Sequence, residues 1–300
     1  MPAPIALFVY KRLDHTIRTV TALSENVLAN ESDLIIYSDA PRTPDDAASV
    51  QAVRDYIKTI NGFKSVTIEE RIKNYGLSKS VLDGVTNVIR QFGKVIVMEE
   101  DLVSSKYFLK YMNRALEKFE HEEKIISIHG YMYPVRDTLP EIFFLRGADC
   151  WGWATWKRGW DLLERDGAAL KRKIESADAV YRFNFYNSYP FFEMLEGQIE
   201  GRNDSWAILW HASAFVNQKL TVYPGKSLVH NIGNDNSGTH NANTDHYNVT
   251  LSLTEINLDR ENAELTDNLT AVSAIASYFF ETHSKFGILK SFVKKYLWRN

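Results

Sequence analysis

LSKSVLDGVTNVIRQFG, residues 77–93, runs directly into KVIVMEED, residues 94–101, and this junction decides the fold. The first segment is amphipathic with the period of a helix, and Gly93 is a residue that typically caps the C-terminus of one. The second segment begins as a short apolar run, as in a buried strand, and ends in three consecutive carboxylates. This order predicts one helix-to-strand step of an α/β fold.

The same alternation extends outward from this junction. Strand-like runs are predicted at 4–10, 32–41, 64–71 and 123–131, and helix-like patterns at 14–29 and at about 44–60. Such alternation predicts a Rossmann-like, mainly parallel sheet with helices on both faces. From about residue 140 the chain is rich in aromatic residues, and we expect a helical and irregular half added to the sheet, followed by a C-terminal amphipathic helix.

The composition excludes several classes of protein. The chain has 300 residues, 45% of them hydrophobic, which is enough for one large domain or two modest ones. Its 35 basic and 38 acidic residues give a net charge of -3, so we expect no nucleic-acid partner. Cys150 has no second cysteine to pair with, and we find neither a signal peptide nor an apolar run that could span a bilayer. We therefore expect a cytoplasmic protein.

Polar residues stand at the ends of the predicted strands. Arg12 follows the first strand, Asp39 the second, and the acidic triplet Glu99, Glu100 and Asp101 the fourth. In open α/β sheets ligands bind beyond the carboxyl ends of the strands, so we expect these side chains to face one crevice.

The acidic triplet suits a hard cation. Mg²⁺ or Mn²⁺ takes one or two protein carboxylates and completes its shell with water and substrate phosphates, which a nucleoside diphosphate would supply. Because neighbouring side chains of a strand point to opposite faces, Glu99 and Asp101 are predicted to share one face and Glu100 the other. The alternative is a solvated turn after an edge strand.

Several stretches, in this order, resemble one family. They are PIALFVYKRLDHTIRTVTAL, LIIYSDAP, NYGLSKSVLDGVTNVIRQFGKVIVMEEDLVSSKYFLKYM, GADCWGWATWKRGWD and NDSWAILWHASAF, and together they fall within residues 4–240. The chain resembles the glycosyltransferases of the A-type nucleotide-sugar fold (GT-A). Within them it is similar to the group of Golgi N-acetylglucosaminyltransferase I and to bacterial family-two-like transferases.

The resemblance assigns roles to the polar strand ends. It implies that Arg12 contacts the donor diphosphate, Asp39 the uracil edge and Glu100 the ribose. Asp101 would ligate Mn²⁺ or Mg²⁺, and Glu99 would bind a hydroxyl of the donor sugar. The family's usual triplet is Glu-Asp-Asp, so Glu100 departs from it by one methylene, which affects the ribose contact and leaves the metal position intact.

Three further residues are candidates in the second half. The resemblance implies that Asp204 is the general base that deprotonates the acceptor; from the residues alone it could equally cap the next helix. Trp151 is the tryptophan we expect at the sugar site, because the helical spacing of Trp153, Trp156 and Trp160 favours the core. His230 stands where the family often has a histidine near the metal; the alternative is a histidine that bonds locally.

The expected function is metal-dependent, inverting transfer of a sugar from a nucleotide-diphosphate donor to a glycan or lipid-linked glycan acceptor. The resemblance implies UDP as the nucleotide. Residues 1–135 would bind the nucleotide sugar, 136–250 would form the acceptor and catalytic half of the same domain, and 251–300 a helical extension. The competitors are a sugar-nucleotide nucleotidyltransferase, which would carry a Gly-rich loop after the first strand, and a non-catalytic carbohydrate-binding protein.

The C-terminal segment raises a separate possibility. Residues 285–300 carry only basic charges, with apolar residues at helical spacing. Such a helix could lie on the inner face of a membrane, which would favour a lipid-linked acceptor in polysaccharide synthesis. The alternative is a helix that docks on its own domain.

Overall fold

The computed structural model of the protein describes residues 1–235, 244–258 and 264–283. Its strands are β1 Ile5–Val9, β2 Asp33–Ser38, β3 Ser65–Glu70, β4 Lys94–Glu99, β5 Leu102–Ser104, β6 Ile125–His129, β7 Ile142–Arg146, β8 Trp153–Trp156, β9 Leu220–Pro224 and β10 Val229–Asn231. Its helices are α1 Leu13–Ser24, α2 Ala47–Ile57, α3 Gly76–Phe92, α4 Phe108–Lys118, α5 Lys157–Trp160, α6 Gly167–Ser176, α7 Val180–Phe183, α8 Phe191–Ile199, α9 Trp206–Val216 and α10 Leu269–His283.

Eight of the strands form one mixed sheet in the order β3-β2-β1-β4-β8-β6-β9-β7. The strands from β3 to β4 are parallel to one another, whereas β8 is antiparallel to both of its neighbours and β7 is antiparallel to β9. The predicted α/β class with a mainly parallel sheet is confirmed. Strands β5 and β10 form a separate antiparallel pair.

Both faces of the sheet are covered. The residues of β1 are all buried, with Ile5, Leu7 and Val9 in one apolar core and Ala6 and Phe8 in the other. A continuous apolar strand is what a sheet with helices on both faces requires, because each face then buries alternate residues.

The junction between α3 and β4 is as the sequence predicts. Gly93 adopts the left-handed conformation, with φ of 75°, and its N–H donates to the Ile89 carbonyl. The chain therefore turns within one residue and enters β4, whose Val95, Ile96 and Val97 are fully buried.

The tryptophan-rich segment corrects one expectation. Trp153 and Trp156 are core residues, as predicted, but they lie in strand β8 rather than in a helix. A separation of three residues places two side chains on opposite faces of a strand. Accordingly Trp153 packs with Trp160 in one core and Trp156 lies in the other. The sheet thus continues into the half of the chain that we expected to be helical and irregular.

In the described ranges we find no helix with the length and hydropathy needed to cross a membrane. The predicted basic helix at 285–300 lies outside the described residues, so membrane contact by that segment stays a prediction.

Several strands end at the same edge of the sheet. β1, β4, β6 and β9 run in one direction, and β8, which runs against them, begins at the edge where they end. Val97 pairs with Trp153, so the residues just after Val97 and those just before Trp153 leave the sheet together. This edge brings the acidic triplet and the segment 147–152 to one place.

Candidate functional site

The acidic triplet straddles the end of a strand. Strand β4 ends at Glu99, and Glu100 and Asp101 form the turn before β5. Arg12 Nε donates to Glu100 Oε1 at 3.0 Å, and Arg12 Nη2 donates to Asp101 Oδ2 at 2.7 Å. The predicted separation of Glu100 from Asp101 onto opposite faces is therefore wrong, because strand alternation stops at Glu99 and the turn directs both carboxylates to one guanidinium.

Arg12 is the cation of this cluster. It follows β1 and immediately precedes α1, and its side chain is 16% exposed. Burial acts to lower the pKa of Arg12, but the charges of Glu100 and Asp101 outweigh it and raise that pKa, so the guanidinium stays charged. Its Nη1 is buried and has no hydrogen-bond partner within the described chain. The structure therefore brings Arg12 together with Glu100 and Asp101, as expected, and the shared ligand crevice stays a prediction.

Glu99 is the third carboxylate of the triplet. Desolvation raises its pKa well above the usual range, and repulsion by Asp101 and then Glu100 adds to this, while Arg12 acts in the opposite direction. Among the described residues no cationic side chain lies within ion-pair distance of Glu99. A half-buried carboxylate that is desolvated and repelled in this way either takes up a proton or requires an additional cation.

These residues fit the divalent cation that the resemblance implies. The described residues contain no cluster of three or more His, Cys, Asp or Glu side chains arranged for a metal ion. Mg²⁺ and Mn²⁺ at nucleotide sites need only one or two carboxylates, since water and phosphates supply the other ligands. Asp101 is the predicted ligand, and Glu99, which repels it at this turn, is the second oxygen donor that would hold the cation. The predicted contact of Glu99 with a hydroxyl of the donor sugar stays a prediction.

A main-chain segment covers the triplet. The Ile232 N–H donates to the Asp101 carbonyl at 2.8 Å, and a Cβ at Gly233 would overlap Asp101 Oδ2 and lie 3.0 Å from Arg12 Nη1. On the other side, His15 Nε2 lies 3.3 Å from the Ile232 carbonyl. Position 233 therefore requires glycine, because a Cβ there would have no space beside Asp101. In the sequence, the Gly- and Asn-rich composition of this loop is the only sign that the segment covers the triplet.

His230 lies in β10, opposite Val103 of β5. Its Nδ1 is 3.0 Å from the Val249 carbonyl. A carbonyl oxygen can only accept, so Nδ1 carries the hydrogen, and in the neutral ring Nε2 keeps the lone pair that a metal would need. The local bond that we considered as the alternative is present, and the metal role of His230 stays a prediction.

Asp39 has a structural function at the end of β2, which is separated from β4 by β1 in the sheet. Its carboxylate accepts hydrogen bonds from the N–H groups of Ala40 and Tyr75 through Oδ1 and from those of Tyr75 and Gly76 through Oδ2, at 2.9–3.0 Å. Asp39 thus links the end of β2 to the first turn of α3. Its contact with a nucleobase stays a prediction.

Trp151 lies in an aromatic cluster beside the triplet. Its ring meets those of Tyr131 and Tyr247 edge to face, with centroids 4.8 and 5.2 Å away. It is only half-buried, in contrast to Trp153. Its position two residues before β8 places it at the edge where β4 ends, which is consistent with the predicted sugar contact without testing it.

Asp204 is exposed and directly precedes α9. The cap of this helix is Ser205, whose Oγ accepts from the Ile208 N–H at 3.3 Å. The alternative that Asp204 itself caps the helix is therefore wrong. The first residue of α9, Trp206, stacks on Trp153 with ring centroids 5.5 Å apart. The start of α9 thus packs on β8, the strand that pairs with β4, and the role of Asp204 as base stays a prediction.

The ion pairs of Arg12 make one prediction about metal binding. Replacing Arg12 by methionine removes the cation that neutralises Glu100 and Asp101, so we expect the affinity for Mn²⁺ alone to rise by about tenfold. Titration of Mn²⁺ without nucleotide measures this. Lys11→Met is the matched control, because it removes the neighbouring positive charge, which pairs with Asp46 instead. Equal Mn²⁺ affinities in Arg12→Met and the unmodified chain would contradict the prediction.

Comparisons with known proteins give a loose likeness only. No family model and no curated protein matches the chain. Among solved structures it is similar to S. aureus TarS 1-349, with a TM-score of 0.41 and 11% identity over 75% of this chain and 59% of that one. It is also similar to the mannosyltransferase PcManGT from Pyrobaculum calidifontis in complex with GDP-Man and Mn²⁺, with a TM-score of 0.38 and 14% identity over 72% of each chain.

The chain therefore spans less than two thirds of the length of the TarS structure. TM-scores of this size carry no functional argument, and the closer resemblance to the N-acetylglucosaminyltransferase I group stays a prediction. The case for function rests on the geometry of the site.

Proposed function

We propose that the chain is a metal-dependent glycosyltransferase that uses a nucleotide-diphosphate sugar, with UDP as the nucleotide. One observation carries the proposal. At the carboxyl edge of the sheet, Arg12 bridges Glu100 and Asp101 while the half-buried Glu99 has no counter-ion in the described chain. Such a site has both a cation for phosphate oxygens and carboxylates for a divalent cation.

Each residue has a part in the proposed reaction. Arg12 orients the diphosphate, and Glu99 and Asp101 hold the divalent cation. When bound, that cation would offset the negative charge that develops on the leaving diphosphate. Asp204 takes the proton from the acceptor hydroxyl as its oxygen attacks C1 of the sugar. Attack from the side opposite the diphosphate inverts the configuration at C1.

The finer parts of the proposal come from the resemblance of the sequence stretches to the GT-A family. They are the choice of UDP, the hexosyl or N-acetylhexosaminyl nature of the sugar, and a glycan or lipid-linked glycan acceptor of the kind used in surface polysaccharide synthesis. The identity of the nucleobase should be tested directly, because both carboxylate oxygens of Asp39, the residue predicted to contact uracil, already accept hydrogen bonds from backbone N–H groups.

Calorimetric titration with UDP and with GDP, each with and without Mn²⁺, tests the proposal. We expect UDP to bind in the presence of Mn²⁺ and to lose at least about tenfold in affinity when EDTA removes the metal. A carbohydrate-binding protein would ignore the nucleotide and the metal. A nucleotidyltransferase would instead bind UTP and a sugar 1-phosphate and release pyrophosphate. Absence of Mn²⁺-dependent binding of either nucleoside diphosphate would contradict the proposed function.

A further inference from the structure

The segment Gly147–Gly152 joins β7 to β8 and carries a carboxylate that the reaction as described above does not use. Gly147, with φ of 101°, lies against the His211 ring, and Gly152, with φ of 65°, lies against Val229 and Phe108. Both glycines have positive φ and closely packed neighbours, so the segment is held at its two ends. Asp149 lies between them.

Asp149 is fixed by two tyrosines. Its Oδ2 accepts hydrogen bonds from the hydroxyls of Tyr223, at 2.8 Å, and Tyr133, at 3.2 Å. Burial raises the pKa of both phenols, and the charge of Asp149 raises it further, so they stay protonated and donate to the carboxylate. Its Oδ1 accepts no hydrogen bond from the described residues, and the side chain is half-buried. Oδ2 is therefore held in place, while Oδ1 is available to accept a hydrogen bond from a ligand.

The surroundings of Asp149 are aromatic. Tyr133 meets Tyr131 edge to face with centroids 5.3 Å apart, and Tyr131 in turn meets Trp151 at 4.8 Å. Tyr247 extends this cluster, since its ring meets that of Trp151 edge to face with centroids 5.2 Å apart. Aromatic faces with one oriented charged acceptor are what a sugar site requires, since ring C–H groups pack on the faces and hydroxyls bond to the acceptor.

Asp149 and the acidic triplet flank the same residue. Burial raises the pKa of the Cys150 thiol, and the charges of Glu99, Asp149 and Asp101 raise it further, in that order. The strand register explains this proximity, because Trp153 pairs with Val97 and both short segments leave the sheet at one edge. Asp149 therefore lies at the same edge of the sheet as the triplet, where a ligand bound at the triplet would have its sugar.

We propose that Asp149 is a sugar-binding residue, whose Oδ1 accepts a hydrogen bond from a hydroxyl of the donor sugar while Tyr133 and Tyr223 hold the carboxylate in position. This inference rests on the proposed function. It identifies a determinant of donor specificity that lies in the second half of the chain, outside the acidic triplet.

The test compares UDP with UDP-sugars. Titrations of the unmodified chain and of Asp149→Asn are made in Mn²⁺ with UDP, UDP-glucose, UDP-galactose and UDP-N-acetylglucosamine. We expect the preferred UDP-sugar to bind about tenfold less tightly to Asp149→Asn, because a hydrogen bond to a charged group is lost. The affinity for UDP alone should not change. Asp55→Asn, on an exposed helix surface, is the matched control.

The outcomes separate the two proposals. If UDP does not bind to the unmodified chain, the proposed function fails. If UDP binds but Asp149→Asn retains the affinity for every UDP-sugar, or no UDP-sugar binds more tightly than UDP, the assignment of Asp149 to the donor sugar is overturned. A higher KM for an acceptor with unchanged affinity for every UDP-sugar would also overturn the assignment, because the carboxylate of Asp149 would then bind the acceptor.

A second variant covers the case in which Asp149→Asn does not fold. Tyr133→Phe removes one of the two hydrogen bonds that hold Asp149 and keeps the ring in the aromatic cluster. We expect a loss of about threefold for the preferred UDP-sugar with UDP affinity and the unfolding midpoint unchanged. If the Tyr133 hydroxyl has only a structural role, Tyr133→Phe will lower the unfolding midpoint and leave the difference in affinity between UDP and the UDP-sugar unchanged. That result would count against the inference.

Discussion

Asp101→Asn is expected to lower the rate of sugar transfer by about 10³-fold and to abolish the effect of Mn²⁺ on UDP binding. The substitution keeps the size of the side chain and an acceptor for Arg12 Nη2, which lies 2.7 Å from Asp101 Oδ2. It removes the negative charge that would bind the cation. A cation that stabilises the leaving diphosphate is worth several kcal/mol, and each 1.36 kcal/mol corresponds to a factor of ten in rate.

The measurement is a pair of UDP titrations with and without Mn²⁺, together with transfer rates on whichever UDP-sugar binds. Asp55→Asn again serves as the control, since the carboxylate of Asp55 accepts a hydrogen bond from Gln51 on an exposed helix surface. Retention of Mn²⁺-dependent UDP binding in Asp101→Asn would show that Asp101 is not a metal ligand. A fall in the unfolding midpoint matched by loss of all UDP binding would point to loss of the fold instead.

Asp204→Asn is expected to reduce kcat by about 10²–10⁴-fold, the usual range for loss of a general base, without changing the affinity for UDP and Mn²⁺. The helix start should remain intact, because Ser205 and not Asp204 accepts the hydrogen bond of the Ile208 N–H. The effect should therefore lie in the chemical step alone.

Single-turnover transfer rates and UDP titrations measure the two quantities separately. Asp166→Asn is the matched control, since Asp166 is an exposed carboxylate at the start of α6 and asparagine caps helices equally well. Unchanged kcat in Asp204→Asn would remove Asp204 from the mechanism and leave another group to take the acceptor proton.

The first half of the fold follows from local patterns. The helix that ends at Gly93 and the strand that ends at Glu99 are both present, because a glycine cap and a buried apolar run depend on a few adjacent residues. The meeting of Arg12 with the triplet follows from a general rule, that strands of a parallel sheet end at one edge.

The rest depends on contacts between distant parts of the chain. The spacing of Trp153 and Trp156 suggested a helix instead of strand β8. In a central strand, residues three apart are also both buried, one on each face of the sheet. The turn at Glu100 overrode the alternation expected of a strand. Gly233 reaches Asp101 across more than 130 residues, and Asp149 is distinguished only by tyrosines brought from two other segments. No local pattern in the sequence indicates these neighbours.

The pairing of β4 with β8 has a mechanical consequence for the site. The four residue pairs from Lys94 with Trp156 to Val97 with Trp153 join the two halves of the chain by backbone hydrogen bonds inside a buried sheet. The register of these pairs thus fixes where the triplet and the segment of Asp149 leave the sheet, and moving the two apart would require breaking backbone hydrogen bonds of the buried sheet.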